Sequence, residues 1–512
     1  MPEGSGRRRI ERVTATAVGA VLLGLAGCTV GPDYRRPDAP VPAAYKEAWK
    51  PGPLVKGWRE TRPADGIDRG AWWSIYHDPV LDKLEREIDI SNQNLKAAEA
   101  AFREAEATVA AARAQFFPTA ALDASATRAR SSGNSAPTAG FGGGISNRFV
   151  AETTASWVPD LWGSVRRTVE SDIATAQASA ATLANARLSA QGELATAYIE
   201  LRSADELARL LDASVKAFTQ ALQIVTNQYR SGTTDESAVA QAQAQLDATR
   251  AQLIAVEVTR AQLEHSIAVL IGKTPAEVTI APTELMIAVP LIPFEMPSAL
   301  IERRPDIAAA ERDMQAANAE IGVSVAAFYP TVTLSGDYGV SAEMLRKLFT
   351  TASRIWSFGS TAAETIFDGG ARNAQVEHDE AAYDASVATY RQAVLTAFQQ
   401  VEDELASERI LAEQAVAAES AVKAAREAER VINNQYLSGT QAYTAVIVAE
   451  NTALGDAETA LNIRQSQLVA SAALVEALGG GWDASQLPSP DKIENDAPLN
   501  FNPIPPTFPA QK

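Results

Sequence analysis

The chain has 512 residues, of which 46% are hydrophobic but only 6% aromatic. This composition suits closely packed, alanine-rich helices better than a bulky globular core. The formal net charge of −18 argues against a nucleic-acid partner. The charges are scattered through helical stretches, which indicates a solvated surface, and a negative lumen that prefers cations is the sharper alternative.

The N-terminus has the pattern of a secretory signal. Arginines in the first twelve residues precede an apolar run from Val13 to Leu25, which is followed by small residues and Cys28. The run is too short for a membrane span, which needs about 20 residues. The end of this segment resembles the bacterial lipobox. We therefore expect residues 1–27 to be removed and Cys28 to carry a diacylglycerol and an N-acyl chain, the alternative being a buried free thiol. In lipoproteins of this kind, Thr29 in place of Asp favours sorting to the outer membrane.

The rest of the chain repeats one plan twice. Phe117-Pro118-Thr119 recurs as Tyr329-Pro330-Thr331, and the segment 228–233 recurs as 435–440 with a shared Ser-Gly-Thr. The spacing of about 210 residues is far beyond the 20 to 50 of a solenoid. The chain is therefore predicted to contain two large copies of one unit.

In the first repeat we expect a helix from Pro79 to Phe117, ended by Pro118. A long helix from Ser164 to Arg230 follows after an interruption, and a Ser-Gly turn leads to a return helix that ends near Gly272. At 1.5 Å per residue, a helix of about 67 residues is roughly 100 Å long. Such lengths require a fibrous or barrel-like packing.

The second repeat predicts the same series. Pro305 opens its first helix and Pro330 closes it. The long helix runs from Ala371 to Leu437, and the return helix ends near Gly479.

Each repeat also contains a pair of alternating segments between its first and its long helix. They are Ala120 to Thr127 with Phe149 to Trp157, and Thr331 to Val340 with residues 354–366. Segments of about 10 residues with one apolar face are typical of membrane β-barrels, although a soluble hairpin is the alternative. Four strands are too few to close a barrel, whereas three chains would supply twelve.

These patterns divide the chain into six parts. They are a signal peptide (1–27), an N-terminal extended segment (28–78), the first repeat (79–272), a connector (273–298), the second repeat (299–480) and a Pro-rich tail (481–512).

By these features the sequence resembles the TolC-like outer-membrane efflux factors, specifically the lipoprotein branch typified by OprM. The resemblance covers nearly the whole chain after the signal. It is strongest in four motifs, which are Cys28 to Tyr34 with Pro37, Trp72-Trp73 with Asp78-Pro79, Asp160 to Gly163, and Arg303 to Ile307 with Asn318, Gly322 and Tyr329-Pro330.

The resemblance implies a mainly α-helical homotrimer with a shared twelve-stranded membrane β-barrel and a long twelve-helix α-barrel in the periplasm. It also implies a collar around the helices, to which residues 28–78 would contribute, with residues 273–298 as an equatorial connector. Such a trimer is the passive exit duct of a tripartite efflux system and is opened when its partners dock. The partners would be a periplasmic adaptor and an inner-membrane transporter, with no metal or other cofactor. The adaptor would contact the turns between the long and return helices, at Tyr229, Arg230, Ser231, Gly232, Tyr436, Leu437, Ser438, Gly439 and Gln441.

One position departs from the family pattern. Many relatives place an acidic residue just after the second turn, where three copies narrow the pore, and here that position is Val448. Glu450 is a candidate for the pore constriction in its place. Two residues along a helix are about 200° apart, however, so Glu450 would face elsewhere.

Other classes of protein fit less well. His77, His265 and His378 stand alone, without metal-ligand or nucleophile spacing, and no phosphate-binding glycine loop is present. An enzyme is therefore disfavoured. The alternative function is a periplasmic coiled-coil structural or adaptor lipoprotein without a pore, which would need one hairpin and no paired strands.

Overall fold

The fold is described from a computed structural model that covers residues 29–47, 70–130, 145–290, 292, 300, 302–496 and 498–501. The predicted signal peptide and Cys28 lie outside these residues, as do parts of the 273–298 connector and of the Pro-rich tail. The described helices are α1 (Pro79–Ser91), α2 (Gln93–Ala114), α3 (Ser164–Arg230), α4 (Glu236–Leu270), α5 (Pro305–Ala326), α6 (Ala371–Leu437), α7 (Tyr443–Ala477) and α8 (Pro490–Asp496). The strands are β1 (Thr119–Arg130), β2 (Ile145–Trp157), β3 (Thr331–Ala342) and β4 (Arg354–Ala363).

The duplication is visible in the helix lengths. Helices α2 and α5 each have 22 residues, α3 and α6 each have 67, and α4 and α7 each have 35. Helices α3 and α4 form one long hairpin, and α6 and α7 form the other. The predicted bounds of both long helices are confirmed.

The predicted single helix from Pro79 to Phe117 is wrong, because the chain breaks at Asn92. The Asn92 side chain caps α2 by accepting the amide of Leu95 at 3.0 Å and donates to the Leu270 carbonyl at 2.7 Å. In the second repeat Arg304 occupies the corresponding place and donates to the Ala477 carbonyl at 3.0 Å. In each repeat the return helix thus ends against the N-cap residue of a 22-residue helix, which is α2 in the first repeat and α5 in the second.

The N-cap of α1 explains the Asp78-Pro79 motif. Asp78 accepts the amides of Val80 and Leu81 and, with its second oxygen, the hydroxyl of Tyr198 at 2.9 Å. Pro79 fits the first helical position because it needs no hydrogen-bond acceptor there.

The four strands form one antiparallel sheet in the order β1-β2-β3-β4, so β1 and β4 are its open edges. Residues paired across the ladder lie on the same face. The register therefore defines an apolar face, which includes Leu122, Phe149, Tyr338, Trp356 and Phe358. It also defines a polar face, which includes Asp123, Glu152 and Asp337.

The main core lies where the two repeats meet, beside the connector. Its largest fully buried side chains include Trp72, Tyr198 and Tyr390, with 0%, 0% and 1% of their surfaces exposed. The Trp72 indole donates to Gln191 and the Tyr76 hydroxyl is hydrogen-bonded to Ser471, so these aromatic rings bury their area without leaving a polar atom unpaired. Among the described helices, none combines the length and the hydropathy needed to cross a membrane.

Candidate functional site

The two turns that join the long and return helices have the same hydrogen-bonding geometry. At the end of α3 the amide of Thr233 donates to the Gln228 carbonyl and that of Gly232 to the Tyr229 carbonyl, both at 2.9 Å. At the end of α6 the amides of Thr440 and Gly439 make the equivalent bonds at the same distances. This is the Schellman pattern, which requires a left-handed residue after the C-cap. Gly232 and Gly439 supply it with φ of 76° and 75°.

The predicted docking residues share this end of the two hairpins. All except Tyr436 are exposed. The Tyr229 ring and the Leu437 side chain leave 45% and 64% of their surfaces uncovered. The predicted residues therefore form a surface at the tip, with Tyr436 turned inward.

Tyr436 joins the two hairpins. Its hydroxyl donates to the side-chain carbonyl of Gln228 on α3, and its ring lies 5.4 Å from that of Tyr443. Val225 and Val446 are buried in the same apolar cluster, which contains residues of both hairpins. The turns are thus packed against each other within one chain.

A second contact between the hairpins lies farther from the turns and was not predicted. Gln245 on α4 and Asn451 on α7 exchange two side-chain hydrogen bonds, at 2.6 and 2.9 Å. We call this pair, together with the Gln228–Tyr436 bond, the hairpin clasp. The repeated Gln228 and Gln435 of the turn motif were a signal for the turns, whereas nothing in the local pattern marks Gln245 and Asn451 as partners.

Val448 and Glu450 have different environments in the structure. Val448 leaves 65% of its surface exposed, whereas Glu450 is half-buried and one of its oxygens is buried without a hydrogen-bond partner among the described residues. Burial and the nearby Glu429 carboxylate on α6 raise the pKa of Glu450 to about 7. The Glu450 carboxyl group thus lies near both α6 and Tyr443.

The segment just after Cys28 is fixed at the opposite end of the long helices. The Val30 amide donates to the Trp162 carbonyl, and the buried Arg167 guanidinium donates to the carbonyls of Val30 and Gly31 and to Asp33. The indole of Trp162 stacks on Tyr329 with the ring centroids 4.9 Å apart. Residues 29–33 therefore lie at the junction between the sheet and the helices.

Within the part of the chain that the structure describes, no group of three or more His, Cys, Asp and Glu residues is arranged to hold a metal ion. His378 contacts the adjacent Asp379 and is mostly exposed.

The chain has two long helical hairpins, whose turns lie together at the far tip, and a four-stranded sheet with an apolar face and open edges. These features define a membrane duct protein. The sequence matches the family "Outer membrane efflux protein" over residues 86–273 and 296–480. The chain belongs to this family, which is one of transport channels and not of enzymes, and it is an outer-membrane efflux channel protein with the TolC-like fold.

Individual relatives agree with this assignment. The chain is 29% identical over 477 residues to the probable efflux pump outer membrane protein TtgC of Pseudomonas putida, covering 92% of this chain and 96% of that protein. It is 28% identical over 465 residues to the probable outer membrane lipoprotein SilC of Salmonella typhimurium, covering 90% and 96%.

Solved structures have the same fold. The outer-membrane channel OprN is 30% identical with a TM-score of 0.79, covering 89% of this chain and all of that one. The open state of the MtrE outer membrane channel of Neisseria gonorrhoeae is 26% identical with a TM-score of 0.74, covering 89% and 99%.

Proposed function

We propose that three copies of this chain form the exit duct of a tripartite efflux system and pass small molecules through the outer membrane without catalysing a reaction. The observation that carries this proposal is the sheet. Its four strands expose an apolar face and leave β1 and β4 unpaired, and open strand edges are not stable in lipid. Three sheets joined edge to edge would close a ring of twelve strands.

The oligomeric state tests the closed ring. Native mass spectrometry of the detergent-solubilised protein should give the mass of a trimer. A stable monomer would contradict the proposal, and it would favour the alternative of a coiled-coil lipoprotein without a pore. The division of the chain into two repeats belongs to the same proposal and is supported by the equal lengths of the two long helices, which have 67 residues each.

We further propose that Cys28 carries the lipid anchor. Thr29 packs against Gly163 at the start of α3, where the strands meet the helices, so an acyl chain on the preceding residue would start beside the membrane-facing sheet. Labelling with an alkyne palmitate should mark the wild-type protein and not Cys28→Ala. The unlabelled variant should stay in the membrane fraction because the sheet holds it there, whereas its release as a soluble protein would contradict the duct.

The exposed turn residues are the proposed docking surface for a periplasmic adaptor. Leu437 is the most exposed apolar residue of the second turn, so a charged side chain there would lie against any partner that covers the turn. Leu437→Glu should abolish efflux at an unchanged level of the protein in the membrane. Val416→Glu is the matched control, because Val416 is similarly exposed on α6 but lies about 30 Å from the turn at 1.5 Å per residue. Equal loss in both variants would contradict docking at the turns.

For the constriction we propose that Val448 and not Glu450 faces the lumen near the tip. The exposed Val448 and the half-buried Glu450 support this arrangement, and apolar rings can close a pore by excluding water. Val448→Asp should make the reconstituted channel more cation-selective, whereas Glu450→Gln should leave its ion preference unchanged. A changed ion preference in Glu450→Gln would contradict this proposal and would indicate that Glu450 faces the lumen at the constriction.

A further inference from the structure

Three arginines lie on the apolar face of the sheet, at the strand ends that are remote from the helices. Arg128 and Arg130 pair with Asn147 and Ile145, and Arg354 pairs with Val340. By the register, these three arginines are on the same face as Leu122 and Trp356, which are 81% and 75% exposed. We call Arg128, Arg130 and Arg354 the arginine rim.

The rim arginines are exposed and none of them has an ion-pair partner among the described residues. Residues 124–130, 145–151 and 338–356, which form this end of the sheet, contain six Lys and Arg residues and a single acidic residue, Glu343. The intervening segment 131–144 contains no charged residue. In a chain with a net charge of −18, this end of the sheet is therefore a local concentration of unneutralised positive charge.

The loop between β3 and β4 adds two cations beside apolar side chains. The Lys347 carbonyl accepts the hydroxyls of Thr350 and Ser353 at 2.8 and 2.7 Å, which holds the loop in a compact form. Arg346 and Lys347 are exposed in this loop together with Phe349. Cations next to exposed apolar groups match the boundary between acyl chains and charged headgroups.

We propose that the arginine rim binds the phosphate groups of the phosphorylated glycolipid in the outer leaflet of the outer membrane. The inference rests on the proposed function, which puts the helices in the periplasm and the rim at the outer leaflet. An arginine stem can lie along the apolar face while its guanidinium group forms two parallel hydrogen bonds with a phosphate. In the proposed trimer, β1 of one chain meets β4 of the next, so that Arg128 and Arg130 would lie near Arg354 of a neighbouring chain and each subunit junction would have one cluster.

Arg148 provides a matched control. It pairs with Thr127 and therefore lies at nearly the same height as Arg128, but on the polar face. The full-length protein would be purified as wild type, as the triple variant Arg128→Gln/Arg130→Gln/Arg354→Gln, as Arg128→Gln and as Arg148→Gln. Native mass spectrometry would then count bound bis-phosphorylated lipid A, dephosphorylated lipid A and phosphatidylglycerol.

We expect the wild-type protein and Arg148→Gln to bind bis-phosphorylated lipid A within twofold of each other. The triple variant should bind it at least tenfold more weakly, and Arg128→Gln should lie between the two. Unchanged binding by the triple variant, or equal binding of the dephosphorylated glycolipid, would overturn the proposal. If the wild-type protein bound phosphatidylglycerol as strongly as bis-phosphorylated lipid A, the rim would not be specific for the glycolipid and the proposal would be wrong. Conductance of the same preparations in bilayers without glycolipid tests the duct separately, because the triple variant should still form channels there.

Discussion

Gly31 lies directly against Gly322 of α5, so that a Cβ atom on Gly31 would be 2.5 Å from the Gly322 Cα atom. Gly31 also has a φ of 93°, which side chains rarely tolerate. The neighbouring Pro32 carbonyl accepts the side-chain amide of Asn318 at 3.1 Å. The segment that follows Cys28 therefore crosses α5 in backbone contact, which accounts for both glycines in the motifs Cys28 to Tyr34 and Arg303 to Tyr329.

Gly31→Ala should detach this segment. The substitution adds a clash with the Gly322 backbone to a strained backbone conformation, and the strain alone costs on the order of 1–3 kcal/mol. Limited proteolysis should cut residues 29–47 at least several times faster than in the wild type. Gly70→Ala is the control, because Gly70 also has a positive φ, of 107°, but no atom of the described residues lies within 4 Å of the added Cβ. Equal proteolysis in both variants would show that the contact with Gly322 does not matter.

Asp205 should be a large contributor to stability where α3 meets the connector. Its carboxylate accepts hydrogen bonds from Arg202 at 2.9 Å, from Arg260 at 2.7 Å and from the Thr283 amide at 3.2 Å. The side chains of Asp205 and Arg202 are each 2% exposed. Asp205→Asn leaves buried positive charge without its partner, which typically costs about 3–5 kcal/mol.

The measurement is the midpoint of thermal unfolding, compared with that of Asp212→Asn. Asp212 pairs with Lys216 on the surface of the same helix, where such pairs contribute about 0–1 kcal/mol. A melting temperature for Asp205→Asn no lower than that for Asp212→Asn would contradict the role of this network.

The packing of α6 against α7 near the tip should depend on pH through Glu450. Because the pKa of Glu450 is raised to about 7 from its ordinary value near 4.5, the folded protein favours the neutral carboxyl group. The stabilisation is complete below pH about 4.5 and is lost as the pH rises through about 7, where a charged Glu450 would repel Glu429. Arg426 lowers the pKa of Glu429 and opposes this effect only in part, since the pKa of Glu429 remains raised.

Hydrogen exchange of residues 443–451, corrected for intrinsic rates, should therefore be faster at pH 8 than at pH 6. Glu450→Gln should remove that difference, whereas Glu413→Gln, at an exposed position on α6, should keep it. Persistence of the pH difference in Glu450→Gln would assign it to another group.

The sequence predicted those elements that local signals delimit. Gly163 and the Ser231-Gly232 turn mark the ends of α3, and both ends were predicted at the observed residues. The break at Asn92 was missed because its cause is a tertiary contact with the end of α4, and because a proline marks the start of α5 but none marks the start of α2.

For the candidate site, the repeat predicted both turns but not how they meet. Tyr436 was predicted only as a docking residue, and the contact of its hydroxyl with Gln228 of the other hairpin was not predicted. The Gln245–Asn451 pair joins residues 206 positions apart, and the hydrophobic period of each helix carries no information about such a contact. Helical geometry predicted that Glu450 lies on a different face of its helix from Val448. The proximity of Glu450 to Glu429 depends on how α6 packs against α7, so the sequence did not predict it.

The most direct test of the account is the conductance of the purified trimer in a planar bilayer with and without the hairpin clasp. We expect the wild-type protein to form discrete channels that are mostly closed. Tyr436→Phe/Asn451→Ala should raise the open probability at least threefold, because it removes the Gln228–Tyr436 bond and both bonds of the Gln245–Asn451 pair. Gln243→Ala, which loses only a bond to Asp247 within α4, should behave like the wild type. The absence of channels in all three proteins would contradict the duct, and equal open probability in the clasp variant and the wild type would show that these contacts between the hairpins do not limit opening.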